Sequence, residues 1–318
     1  MPRSSKRQMP HRFLPLGSRA LHALAAAALL LGGCQTGAHA VRSVSYQSPG
    51  SDDRRGALYP SLELNSDLIK WFKPSNHREW APELAAIPRA DIRGNRATIH
   101  NIRDCRWTTT DDFQLSYYDE TFDLSKLRHV DFVVAPFNEL PSIGHTMLSF
   151  VFEDGQSLAV SVEIRREKGE AYNAVKGFFR QYELIYVLAS ERDVIGRRVN
   201  CDLCDVFLYR SIATPKQARE LFVDVMRRVN KLNREPEFYD TLTNNCTTNI
   251  RSHINHLYPD RVPYNYRVLL PGCSDRLAYD LGLIEQHGSY EETRLRARVN
   301  YQAYLHRDDP EFSRAIRR

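Results

Sequence analysis

The stretch His145-Thr-Met-Leu-Ser-Phe-Val-Phe152, the turn Glu153-Asp154-Gly155 and the run Leu158-Ala-Val-Ser-Val-Glu-Ile164 decide how the chain is read. Both runs alternate with the period of a β-strand, and the acidic turn ending in glycine joins them as a hairpin. Leu148, Phe150 and Phe152 on one run and Leu158, Val160, Val162 and Ile164 on the other are apolar, so both bury their even-numbered face. Faces match across a hairpin only if the loop holds an odd number of residues, because a slip of one inverts a strand. A loop of Glu153, Asp154 and Gly155 meets that condition and puts glycine at the left-handed position such loops favour. In this register His145 lies opposite Glu163, close enough for a carboxylate to orient an imidazole.

On either side of the hairpin the pattern stays mixed. Ala97–Arg103, Phe113–Tyr118, Val130–Ala135, Glu183–Ala189 and Cys204–Tyr209 read as strands, and the charged run Arg165–Glu170 reads as a solvated loop. Thr214-Pro215-Lys216-Gln217 opens a helix with a cap, a proline at the first position and a glutamine three residues on. Its stripe of Ala218, Leu221, Phe222, Val225, Val229 and Leu232 keeps helical period. Asp275–Leu283 reads as a short helix ending at Gly282. The fold class expected is α+β, with an antiparallel sheet and a small β-containing N-terminal extension over 60–128 packed on a core domain of 129–318.

Thr243-Asn-Asn-Cys-Thr-Thr-Asn-Ile250 places a cysteine where a polar turn becomes a helix, since Ile250, Ile254 and Leu257 fall at helical spacing and Thr243 or Asn244 can cap. In a first helical turn, unpaired N–H groups and the dipole favour a thiolate. A buried, inert cysteine is the commoner outcome unless a base is near. His145 and Glu163 supply a base and an orienting acid, so Cys246, His145 and Glu163 form a candidate triad. The backbone N–H of Cys246, with Asn244 or Asn245, is the candidate oxyanion site.

The first 33 residues carry Arg3, Lys6, Arg7, Arg12 and Arg19, no acid, and an apolar run from Ala20 to Leu31. They read as an export signal. Its ending, Leu31-Gly-Gly-Cys34, resembles a bacterial lipobox, which implies lipidation of Cys34. Gln35 after it fits outer-membrane sorting. Residues 34–59, rich in Ser, Gly and Arg, read as a tether. The chain has 44 basic and 39 acidic residues, and the five basic residues of the leader account for the whole excess. A neutral mature chain argues against a nucleic-acid partner. No cofactor or metal motif stands out. An exported chain with Cys105, Cys201, Cys204 and Cys273 left over is expected to form disulfides, in one of three pairings.

A helix carrying the thiol beside a sheet resembles the papain-like class in a permuted, NlpC/P60-like order. Six strings carry a closer resemblance: Ile-His-Asn-Ile-Arg (99–103), Gly-His-Thr-Met-Leu-Ser-Phe (144–150), Ser-Val-Glu-Ile-Arg-Arg-Glu (161–167), Lys-Gly-Phe-Phe-Arg-Gln-Tyr-Glu-Leu-Ile-Tyr-Val (176–187), Glu-Arg-Asp-Val-Ile (191–195) and Thr-Asn-Asn-Cys-Thr-Thr-Asn-Ile (243–250). Together they are similar to the Lnb-type periplasmic domain family over residues 85–318. The resemblance implies lipoprotein N-acylation and a Cys–His pair, here Cys246 and His145; it gives no role to Arg165, Arg166, Tyr182 or Glu183. Family members linked to acyl transfer add membrane-spanning helices, for which a lipid anchor can substitute. The expectation is a periplasmic, membrane-tethered thiol acyltransferase acting on lipid or lipoprotein. A papain-like hydrolase of peptidoglycan or peptides and a non-catalytic envelope-binding lipoprotein are the alternatives. The acyltransferase predicts an apolar channel at the cysteine, the hydrolase an open polar groove.

Overall fold

The computed structural model describes residues 73–170 and 180–318. The leader, Cys34, the tether and the string at 176–179 fall outside the described residues. A short helix α1 (Pro82–Ala85) precedes strands β1 (Arg89–Arg93), β2 (Arg96–Arg103), β3 (Arg106–Trp107), β4 (Phe113–Gln114) and β5 (Tyr117–Asp123). Then come β6 (Leu127–Pro136), β7 (Gly144–Phe152), β8 (Ser157–Arg165), β9 (Glu183–Ala189), α2 (Glu191–Asn200) and β10 (Phe207–Arg210). The chain ends in helices α3 (Pro215–Arg234), α4 (Cys246–Leu257), α5 (Tyr266–Leu269), α6 (Ser274–Asp280), α7 (Tyr290–Ala297), α8 (Asn300–Leu305) and α9 (Phe312–Ala315).

Eight strands make one open, mostly antiparallel sheet in the order β1-β2-β9-β8-β7-β6-β10, with β5 also paired to β2. The single parallel pairing joins β2 to β9 through Arg103 and Ala189. The fold is therefore mixed α and β around an antiparallel-dominated sheet. Strands β1, β2 and β5, which lie in the expected N-terminal extension over 60–128, belong to the same sheet as β6 to β10.

The β7–β8 hairpin has the expected register. Met147 pairs with Ser161, Leu148 with Val160 and Phe150 with Leu158, and Gly155 takes φ +89° in the loop. The ladder stops at Met147–Ser161, so the strands part before His145 and Glu163. Even residues of β7, β8 and β9 (Leu148, Phe150, Val160, Tyr186) pack with α3 and α4. Odd residues (Met147, Ala159, Ile185, Val187) pack with α2 and the C-terminal helices. Both faces are covered, which corrects the expectation that only the even face is buried: Ser149 and Ser161 are fully inaccessible on the odd one.

Helix α3 starts as its sequence dictates. The Thr214 hydroxyl accepts from Gln217 N, and the Gln217 side chain accepts from Thr214 N in return. Two helical regions go beyond the sequence reading, and one expectation is overturned. The segment from Glu191 is a helix capped by Ser190. It follows β9 directly, and Cys201 and Cys204 sit past its C-terminal end, where no helix dipole favours a thiolate. The polar, Arg-rich tail folds into α7, α8 and α9, which bury Ala303, Phe312 and Ile316. Among the described residues Cys105, Cys201, Cys204, Cys246 and Cys273 are all free thiols, so the expected disulfides are not formed.

Arg165 is buried rather than solvated: its guanidinium donates to the carbonyls of Leu84 and Ala85 and to Asn76, and stacks 4.2 Å from the Trp80 ring centre. Arg166 holds Glu83 at 2.8 Å, and Glu183 accepts from Ser75 N and pairs with Arg78. Asn76 in turn donates to the carbonyls of Leu232 and Asn233 at the end of α3. Arg165, Arg166 and Glu183, residues of the matching strings that had no assigned role, thus clamp the N-terminal segment onto the sheet.

Candidate functional site

Helix α4 begins at Cys246, as expected, but its cap is Asn245, one residue past Asn244 and two past Thr243. Asn245 Oδ1 accepts from Thr248 N at 2.8 Å, the Thr248 hydroxyl accepts from Asn245 N, and Asn245 Nδ2 donates to the Thr241 carbonyl. Asn244 donates to the Phe238 carbonyl and accepts from Asn249. Both asparagine side chains help to build the turn: Asn244 Nδ2 donates to Phe238 and Glu237, and Asn245 Nδ2 uses one of its two N–H groups on Thr241. The backbone N–H groups of Cys246 and Thr247 have no acceptor among the described residues, so the helix end itself carries the two orphan donors an oxyanion needs.

Cys246 is 3% exposed and sits in the same apolar cluster as Leu148, Phe150 and Ile250. Its one polar contact is with the Thr247 hydroxyl, 3.8 Å away. Thr247 Oγ1 lies 3.1 Å from Thr146 Oγ1 and fastens the start of α4 to the start of β7.

His145 lies on the other face. It pairs with Ala135, an odd residue packed under α2, and its partners are odd residues of β8. His145 Nε2 is 2.6 Å from Ser161 Oγ, and Ser161 Oγ donates to Glu163 Oε1 at 2.8 Å. A hydroxyl has one proton, so the Ser161 proton goes to Glu163 and Nε2 donates to Ser161 Oγ. Nδ1 keeps the lone pair. Burial, then Arg198 and Arg197, push His145 down to about 3, against the pull of Glu163. Burial works to raise Glu163, but Arg103, His145, Arg198 and Arg197 overcome it and hold the carboxyl low. A neutral imidazole is thus fixed in one tautomer by an ionised glutamate acting through a serine.

The structure therefore brings His145 and Glu163 together through Ser161, and it does not bring either into contact with Cys246. The cause is strand parity: α4 packs on the even face, and both residues carry odd numbers. Ser161 was missed, although its parity with His145 and Glu163 in the hairpin register is the signal that finds it.

A second polar network lies behind the cysteine turn. His253 Nδ1 is 2.7 Å from Asp224 Oδ2, its Nε2 is 2.9 Å from Tyr186 OH, and Tyr186 donates to Asn249 Oδ1. Asn249 then donates to Asn244 and to the Asn245 carbonyl. Helical spacing puts Cys246, Asn249 and His253 on one stripe of α4, over β9 and α3. The network braces the turn from within.

The next stripe of α4 borders a cavity of about 220 Å³. Leu148 of β7, Leu221 of α3, Ile250 and Ile254 of α4, Leu277 of α6 and Ile284 are among its walls, and Thr247 lies at the end nearest the cysteine. Its character is apolar. No group of His, Cys, Asp and Glu among the described residues could hold a metal ion. No helix among them is long and apolar enough to cross a membrane.

The arrangement defines a mixed α/β domain with a thiol at a helix N-terminus beside an apolar cavity. Residues 113–272, half of the 318-residue chain, match the family model described as the Lnb N-terminal periplasmic domain, and the chain belongs to that family. Membership supports a periplasmic location. Neither the curated proteins nor the solved structures contain a match.

Proposed function

We propose that the protein is a membrane-tethered periplasmic thiol acyltransferase, anchored through lipid on Cys34 at the outer membrane and built on a permuted papain-like plan. The observation that carries the reading is the apolar cavity that begins at Thr247, one residue from Cys246, where a hydrolase of polar substrates calls for an open polar groove. The Cys246 thiolate attacks the carbonyl of a lipid or lipoprotein ester. The C–O bond breaks, the alcohol leaves with the proton that the base took from the Cys246 thiol, and the acyl group stays as a thioester. An amine then attacks the thioester, the C–S bond breaks, and the amine's proton goes to the base as the thiolate is regenerated.

His145, with Nδ1 unprotonated and Glu163 behind it through Ser161, is the base in this reading. It is not in contact with the thiol at rest. Catalytic contacts are often long without substrate and tighten in the complex, and the Thr146–Thr247 contact keeps the two ends adjacent. Incubation with a diacylated lipopeptide labelled in its acyl chain should leave label on Cys246, removable by hydroxylamine. Cys246→Ala should abolish the label and His145→Ala should slow its appearance. Equal labelling of Cys246→Ala and wild type overturns the proposal. Release of free fatty acid at the same rate with and without amine reassigns the protein as a hydrolase.

A further inference from the structure

The residues lining the cavity beside α4 include two arginines, Arg251 and Arg261, and no acid. An apolar cavity has no use for a cation, so what these two are bound to matters. Arg251 Nε donates to the Val262 carbonyl at 2.9 Å, and its guanidinium lies 5.4 Å from the Tyr264 ring centre. Arg261 donates to the carbonyls of Leu281 and Gly282. Neither has a carboxylate within ion-pair distance among the described residues. Arg267 beside them is paired with Asp280, and Glu220, next to the lining residue Leu221, accepts from the Tyr258 hydroxyl at 2.7 Å. Two positive charges therefore remain uncompensated at the rim.

The opening can be located. Arg261 and Ile212 are the exposed members of the lining, and Ile212 is 55% accessible, which is high for an isoleucine. Tyr264, in the same loop as Arg261, and Tyr266, which opens α5, are 53% and 51% accessible. An apolar interior, a cationic rim and exposed aliphatic and aromatic side chains around it match the three parts of one kind of molecule: a chain, an acidic head group and the interface that holds both.

We propose that the cavity takes one acyl chain of an anionic phospholipid, with the chain between α3 and α4 and the phosphate on Arg251 and Arg261. Guanidinium forks suit phosphate oxygens, and with no protein carboxylate to displace, the charge-assisted bonds form without losing an ion pair. This inference rests on reading the cavity as an acyl-chain site, but not on Cys246 being reactive.

The test is binding to the full-length chain and to its Cys246→Ser variant, with dihexanoyl phosphatidylglycerol and dihexanoylglycerol, which lacks the phosphate, as soluble probes below their micelle concentrations and displacement of cis-parinaric acid as the readout. Wild type should prefer the anionic lipid by about tenfold or more, the equivalent of one charge-assisted hydrogen bond. Arg251→Gln with Arg261→Gln should erase the preference while leaving the dihexanoylglycerol affinity in place. Ala278→Phe, which fills the cavity, should lose both lipids; Ala213→Leu serves if that variant does not fold. Equal affinity of wild type for the two lipids, a preference that survives loss of both arginines, or unchanged binding in the filled variants overturns the inference. So does tighter binding of hexanoate than of dihexanoyl phosphatidylglycerol, which makes a free fatty acid the ligand. Lipid binding in a chain whose Cys246 takes no label leaves this site standing and sinks the thioester, and the reverse result does the opposite.

Discussion

Thr146 and Thr247 each follow a candidate catalytic residue, and their hydroxyls are 3.1 Å apart. The contact joins the first turn of α4 to the first residues of β7, and it is the nearest thing to a bond between the Cys246 and His145 segments. Each hydroxyl is buried, and the pair satisfies itself.

Removing one partner leaves the other unpaired, which costs about 1–3 kcal/mol. Thr146→Val or Thr247→Val should therefore lower the thermal midpoint, and the double variant should cost less than the sum of the two, as a double-mutant cycle would measure. If the contact also sets the approach of thiol and imidazole, acylation of Cys246 should slow in the Thr247 variant by more than stability accounts for.

Ser161→Ala removes the hydroxyl between His145 and Glu163. The glutamate then loses its bond from β8 and the imidazole loses its fixed tautomer. A destabilisation of about 1–3 kcal/mol is expected, measurable by urea unfolding. The His145 ring should give nitrogen-15 shifts of mixed tautomers where wild type gives the Nε2–H form.

The depressed His145 has a consequence in acid. Its folded value is about 3 and its unfolded value is near 6.5, so between those pH values the unfolded chain binds a proton that the folded chain does not. Stability is complete above about 6.5 and falls as the pH drops toward about 3. Glu163, lowered in the fold, adds a loss of the same sign below the ordinary glutamate range. His145→Gln should flatten the stability profile between pH 4 and 6 relative to wild type, and the His145 proton resonances should show no titration near 6.5.

Two caps invite comparison. Thr214→Ala removes an exposed capping box and should cost about 1 kcal/mol. Asn245→Ala removes a buried cap and the bond to the Thr241 carbonyl, so it should cost more and disturb the geometry at Cys246. Comparable melting temperatures for the two variants would contradict this.

Much of the architecture could be read from local pattern, because hairpin register and helix capping are local. The odd loop Glu153–Gly155 set the β7–β8 register, and Thr214, Pro215 and Gln217 marked the start of α3. The site was less legible because it depends on which face of the sheet a distant helix covers. Parity put His145 and Glu163 on one side correctly, but nothing near Cys246 says that α4 packs on the other. Ser161 was readable from the same parity. The α2 helix escaped notice because Glu191, Arg192 and Asp193 mask its short apolar set of Val194, Ile195 and Val199. Buried Arg165 defied its charge, since only the folded chain shows the carbonyls of Leu84 and Ala85 that hold it.

The clamp around Asn76 and Trp80 bears on how the domain withstands force. Asn76 binds both the end of α3 and Arg165, while Glu183 grips Ser75 and Arg78 from the central strands. A chain pulled from its N-terminal side, as the proposed lipid anchor would pull it, would load these side chains before any backbone ladder. Tension would then reach the sheet at β8 and β9 in its middle rather than unzip it from β1 at its edge.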